Sequence, residues 1–166
     1  MNRVVVTGGS GRLGKYVVEA LRTDFDVTVF DKIEPTFDCE FVQGDILDRA
    51  SFAKALIGHD SVVHIAALDA DADATDDQFI RVNVEGTWNV FGCARDAAIK
   101  KVVYCSSVAA LNISPENPPQ HLPVDVAHDA DPVTAYGLSK LMGENIARRF
   151  FNLGGMDVIC LRPSLI

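Results

Sequence analysis

The chain has 166 residues, a formal net charge of −8 at pH 7, 48% hydrophobic and 23% charged residues. That length suffices for one compact domain with a real core, and the mix is that of a soluble globular protein. The acidic balance, with Lys100-Lys101 and Arg148-Arg149 as isolated basic pairs, excludes a nucleic-acid surface built on clustered cations, and no apolar run approaches the ~20 residues of a membrane span.

The chain enters a strand at once, over 3–7, so no secretory leader is expected. This strand runs into Gly8-Gly9-Ser10-Gly11-Arg12-Leu13-Gly14 and then an amphipathic helix over 12–23. The spacing is G-x-x-G-x-x-G. The first glycine permits a tight turn, the second lets backbone approach a pyrophosphate, and the third lets the helix pack on the strand. Free N–H groups and the positive end of the helix dipole then face phosphate. A second strand over 26–31 ends on Asp31, about 20 residues on, where a dinucleotide-binding turn needs its acid.

Further strands are expected near 40–43, 61–66, 101–106 and 157–162, with helices near 48–57, 76–98 and 134–152. Several strands are near-continuous apolar runs, the pattern of a parallel sheet covered on both faces. The alternation predicts an α/β doubly wound parallel sheet with ligand at the carboxyl ends of its strands. The tract Asp69-Ala70-Asp71-Ala72-Asp73-Ala74-Thr75-Asp76-Asp77 begins like a calcium loop. It lacks the required Gly and bidentate Glu, so it reads as a solvated loop whose last acids favour the next helix. Residues 112–133 carry five prolines and read as a long irregular connection that walls a pocket. Cys39, Cys93, Cys105 and Cys160 lack C-x-x-C spacing and read as reduced thiols of a cytoplasmic protein, with no metal set.

Tyr136 and Lys140 stand four apart on the expected last helix and so share a face. Tyrosine alone is too weak an acid to serve as a base at neutral pH, and a nearby ammonium lowers its pKa. Ser106-Ser107 ends the fifth strand at the ligand edge and offers a hydroxyl donor. His64 reads as a structural residue of the sheet.

Together these residues resemble the extended short-chain dehydrogenases/reductases, of the NAD-dependent epimerase/dehydratase family. The resemblance rests on the glycine turn, Asp31, Gly44-Asp45-Ile46, His64-Ile65-Ala66-Ala67, Asn83-Val84-Glu85-Gly86-Thr87-Trp88-Asn89, Ser106-Ser107, Tyr136 to Lys140 and Leu161-Arg162-Pro163. It implies one Rossmann-like NAD(P)-binding domain over 1–166. Gly8, Gly11 and Leu13 would contact the pyrophosphate, with Arg12 among them in the cofactor site. Asp31 would hold the adenosine ribose and repel a 2′-phosphate, favouring NAD over NADP; Lys32 beside it leaves NADP a minor case. Asp45 and Ile46 would border the adenine, Ala66 and Ala67 would line the cofactor, and Asn83 would shape the site from the central helix. Lys140 would hold the nicotinamide ribose and tune Tyr136. Ser107, rather than Ser106, matches the catalytic hydroxyl. The implied reaction is oxidation of a substrate secondary alcohol, with hydride passing to the nicotinamide.

Three positions depart from the family pattern: Val108-Ala109 replace the acid pair of dehydratases, Leu111-Asn112 replace a usual Tyr-Gly, and Val126 replaces a usual Glu. Sugar-nucleotide dehydration is therefore disfavoured. A sugar, nucleotide sugar, sugar acid or other small alcohol remains open as substrate. A non-catalytic NAD(P)-binding sensor and a steroid-type hydroxy dehydrogenase are the alternatives. A homodimer is expected through the helices bearing Trp88, Val90, Phe91, Leu141, Ile146, Phe150 and Phe151. Because the chain stops at the sixth strand, a fragment lacking the C-terminal substrate-binding portion is expected.

Overall fold

A computed structural model describes residues 3–164. Six parallel strands make one sheet in the order β3-β2-β1-β4-β5-β6. They are β1 (Arg3–Thr7), β2 (Asp26–Asp31), β3 (Glu40–Gln43), β4 (Ser61–His64), β5 (Lys101–Cys105) and β6 (Asp157–Leu161). The chain winds outward from β1 to β3, then returns to pair β4 with the other side of β1. The order reverses between β1 and β4, and the crevice beyond the carboxyl ends of an open sheet lies at such a point.

Side chains alternate across the pleat. Val5 joins one core with Phe30, Phe52, Val62, Phe91, Val102, Tyr104 and Phe150. Val4 and Val6 point to the opposite face, where they pack with Val18, Val27 and Val29. Helix α1 (Gly14–Leu21) covers the second face. The first face is covered by α2 (Arg49–Ala55), α4 (Gly86–Asp96) and α5 (Ala135–Asn152). Of the residues expected at a dimer face, Val90, Phe91 and Phe150 are buried in this core, whereas Trp88 and Phe151 are exposed.

The segment expected as one helix over 76–98 is built in three parts. A short helix, α3 (Asp76–Phe79), opens with a capping box in which Thr75 and Gln78 bond each other's backbone N–H. Residues Ile80–Glu85 then form a π-helical stretch that runs into α4. The Gly86 N–H reaches back five residues to the Arg81 carbonyl. Such wide turns concentrate at functional sites. Here the stretch carries Asn83, which is buried. Strands β4 and β5 end at His64 and Cys105, just before the residues proposed to line a ligand.

Candidate active site

The glycine turn follows β1 because only a glycine tolerates the backbone there. Gly8 has φ +74°, and a Cβ on it would sit 2.6 Å from the Ala66 backbone nitrogen. That contact brings the ends of β1 and β4 together. A Cβ on Gly14 would collide with the Gly8 carbonyl, so α1 begins tight against the turn. A Cβ on Gly11 would meet only the Gly8 carbonyl, at 3.3 Å, so its other side is open. Above it lies a crevice of about 1070 Å³ lined by Gly8, Gly11, Leu13, Asp31, Asp45 and Ile46 and, further along, by Ala66, Ala67, Ser107, Tyr136 and Lys140. This exceeds a typical small-molecule pocket and suits an extended ligand lying from the glycine turn to the last helix.

The Asp31 carboxylate is fixed at the rim. It accepts from the Ser10 N–H at 3.1 Å and the Ile33 N–H at 3.2 Å. Lys32 pairs with Asp45, 3.2 Å away, on the exposed rim. Arg12 also lines the crevice, but its guanidinium is spent in this structure. It donates to Asp69 at 2.9 Å and to Asp71 at 3.1 Å. The acidic tract is a solvated loop, as expected, with Asp76 and Asp77 in the first turn of α3, and its first two acids also tie it to the glycine turn.

Tyr136 and Lys140 ride on the first two turns of α5. Thr134 caps that helix, accepting from the Gly137 N–H at 3.0 Å. The Phe79 ring packs edge-on against Tyr136, with centroids 6.2 Å apart. Lys140 is buried; its Nζ donates to the Cys105 carbonyl at 2.9 Å and lies 5.6 Å from the centre of the Tyr136 ring. Burial lowers the Lys140 pKa, against the pull of Cys105 and Asp69. Tyr136 does not show the lowered pKa expected from a neighbouring ammonium. Burial raises it, the Ser107 hydroxyl opposes, and Asp69 and Cys105 add to the rise. Desolvation outweighs the distant charge, because the ammonium is bonded to a carbonyl and not to the phenol.

The two adjacent serines have separate roles. Ser106 donates to Glu144 at 2.6 Å, and Glu144 receives two bonds of 2.7 Å from Arg162. Burial pushes the Glu144 carboxyl up, but the bonds from Arg162 and Ser106 win and hold it below the usual range. Ser107 is left to face Tyr136. It caps a 3₁₀ turn, Val108–Leu111, accepting from the Ala109 N–H at 3.1 Å. Val108 and Ala109 line the crevice where a dehydratase of this resemblance would carry acids. Val126 is exposed.

Asn83 does not reach the crevice lining. Its amide accepts from the Leu68 N–H at 2.7 Å and donates to the Leu68 carbonyl at 3.0 Å and to Ser139 Oγ at 2.9 Å. Ser139 in turn donates to the Tyr136 carbonyl at 2.7 Å. Asn83 therefore joins the loop after β4 to the helix that carries the phenol. His64 extends this chain. Thr87 Oγ1 donates to the Asn83 carbonyl at 2.5 Å, so it accepts from His64 Nε2–H at 3.0 Å. His64 Nδ1 then accepts from the Thr7 hydroxyl at 2.7 Å. Complete burial and the Lys140 charge push the His64 pKa down to about 3, so it stays neutral. Glu144 and the bonding partners of Asn83 and His64 were not read from sequence; apart from the local Thr87–Asn83 and Ser139–Tyr136 bonds, the partners lie 15 to 57 residues apart, and no local pattern marks them.

A glycine turn at a topological switch point, with an acid at the end of β2, defines a dinucleotide-binding α/β protein. The family model described as the NAD-dependent epimerase/dehydratase family matches residues 4–166; the chain belongs to this family. An L-arabinose 1-dehydrogenase (NAD(P)(+)) of Haloferax volcanii is 35% identical over 98% of this chain and 66% of its own length. The N-acetyl-alpha-D-glucosaminyl-diphospho-ditrans,octacis-undecaprenol 4-epimerase of Escherichia coli O157:H7 is 32% identical over 99% of this chain and 49% of its own. A solved short-chain dehydrogenase/reductase superfamily protein of Agrobacterium tumefaciens, with bound NAD, is 36% identical. It superposes with a TM-score of 0.88 over 97% of this chain and 48% of that one. The chain thus spans about half to two-thirds of the length of these relatives. Among the described residues no helix is long and apolar enough to cross a membrane.

Proposed function

We propose that this chain holds NAD along the crevice and supports the oxidation of a secondary alcohol on a sugar-like substrate. One observation carries the reading: Ser107, Tyr136 and Lys140 line the same crevice as the glycine turn and Asp31. NAD, when bound, would supply the acceptor for the hydride and the two electrons that it carries. The residues present fit it. The α1 N-terminus and the open side of Gly11 suit a pyrophosphate. The fixed carboxylate of Asp31 suits two ribose hydroxyls and disfavours a 2′-phosphate, and Lys32 is paired with Asp45.

The remaining work falls to three side chains. Ser107 donates a hydrogen bond to the substrate oxygen as that oxygen becomes a carbonyl. Tyr136 takes the hydroxyl proton, for which it must first be deprotonated. Because its pKa lies above the ordinary tyrosine value in this structure, the oxidation rises with pH through the neutral range. Lys140, anchored on the Cys105 carbonyl, keeps a positive charge one helical turn from the phenol and a donor toward the ribose side of the crevice.

The test is a Tyr136→Phe variant of the full-length protein, assayed with a panel of free sugars, sugar acids and nucleotide sugars. Turnover is expected to fall by at least about 100-fold, the usual contribution of a positioned acid–base group, while calorimetric NAD binding is retained. Net NADH formation identifies a dehydrogenase, and interconversion without it identifies an epimerase. Failure of the parent protein to bind NAD, or turnover unchanged in Tyr136→Phe, overturns the proposal.

A further inference from the structure

The connection over 112–133 carries two of the chain's four histidines. His121, Asp125 and His128 are spaced H-x-x-x-D-x-x-H, and one ligand atom from each lies within 4.8 Å of the others. Asp125 Oδ1 stands 3.2 Å from His121 Nε2 and 3.6 Å from His128 Nδ1. Bonds of about 2.0–2.1 Å at the tetrahedral angle put neighbouring ligand atoms about 3.3 Å apart around zinc. The two observed edges bracket that length.

The two imidazoles differ in a way that an ion pair alone does not explain. His121 is exposed and bonds Asp125. His128 has a side chain only 2% exposed. Its Nδ1 receives one long bond, 3.3 Å, from the Asp125 N–H, and its Nε2 is buried without a partner. That Nδ1 bond is long and weak, so the lone pair of the nitrogen 3.6 Å from Asp125 Oδ1 is available to a cation. The rings stand 3.9 Å apart between centroids, and His121 Nε2 and His128 Nδ1 both lie within 3.6 Å of Asp125 Oδ1. Of the other two histidines, His64 bonds Thr7 and Thr87, and His59 bonds Thr28 through Nε2 while its Nδ1 is also buried without a partner.

We propose that His121, Asp125 and His128 bind one divalent transition-metal ion of the zinc class, with water completing the coordination. Two imidazoles and one carboxylate are a donor set for such an ion and not for calcium or magnesium, which take oxygen. The site is separate from the crevice, but the segment it closes is the crevice wall. Asn112 and Ile113 at the start of the connection, and Thr134 just beyond it, line the crevice. The ion therefore acts as a staple on that wall, and the site does not depend on the proposed reaction.

The experiment uses metal-free full-length protein titrated with zinc by calorimetry, and with cobalt(II) followed by visible absorption. One equivalent is expected to bind, with tetrahedral cobalt bands and no thiolate charge-transfer band. His121→Ala, at an exposed position, is expected to keep the parent circular dichroism and to weaken zinc binding at least about tenfold, the loss that even an outer-shell partner causes. His128→Ala is expected to weaken it as well. Absence of saturable one-equivalent uptake, parent affinity in His121→Ala, or a thiolate band placing the ion on Cys39 or Cys160 each overturns the site.

Discussion

Acidification from pH 7 to 4.5 is expected to remove about 3 kcal/mol of folding stability through His64 alone. The folded pKa is about 3 against an ordinary 6.5, so the native state favours neutral imidazole. A group whose pKa is depressed on folding contributes fully above its unfolded value and loses that contribution as pH falls toward its folded value. The window therefore runs from about pH 6.5 down to about 3, at about 1.4 kcal/mol per pH unit. Two units of it give about 3 kcal/mol, a large share of the 5–15 kcal/mol typical of a domain. Burial causes the shift first, and the buried Lys140 second. Urea unfolding at pH 7 and 4.5 measures it, on the parent chain and on His64→Gln. The variant is less stable at pH 7, because Gln cannot reproduce both threonine bonds, but its loss on acidification should be smaller by about 3 kcal/mol. His59, also lowered by burial, contributes to both chains alike. Equal losses in parent and variant would refute the account.

Gly8→Ala is expected to cost at least about 2 kcal/mol, combining a positive φ with the 2.6 Å approach to Ala66, and to abolish NAD binding by calorimetry. Gly154→Ala is the control: φ is +77° but nothing lies within 4 Å of the added carbon, so it should cost about 1 kcal/mol or less. A Gly8→Ala chain as stable as the Gly154→Ala chain contradicts the packing argument. Glu144→Gln leaves the Arg162 guanidinium without its counter-charge and should cost about 1–3 kcal/mol near neutral pH. This difference should shrink only as pH falls below the ordinary carboxylate range, since the folded pKa is lowered; an unfolding midpoint unchanged at pH 7 would count against it.

The strands and the glycine turn were legible because their signals are local. Val4-Val5-Val6 must bury both faces, and Gly8 must turn where no other residue can. Tyr136 and Lys140 were legible because four residues on a helix fix their relation. What was not legible depends on distant partners. The π-helical stretch at Ile80–Glu85 has no proline to mark it, and the alternation of Ile80, Val82 and Val84 does not name a wide turn; that turn coincides with the tertiary bonds of Asn83 and Thr87. Arg12 sits in the turn by its number, yet its guanidinium is claimed by acids 57 and 59 residues away. The sign of the Tyr136 shift could not be read from spacing either, because it turns on burial and on where the Lys140 ammonium is bonded.

Glu144 shares its helix with Tyr136, eight residues and about 12 Å apart. Its carboxylate grips Arg162 from one side and Ser106 from the other. One helix thus carries both the phenol and the anchor of the chain that leaves β6. The polypeptide leaving β6 is thereby coupled through Arg162 and Glu144 to the mount of the phenol.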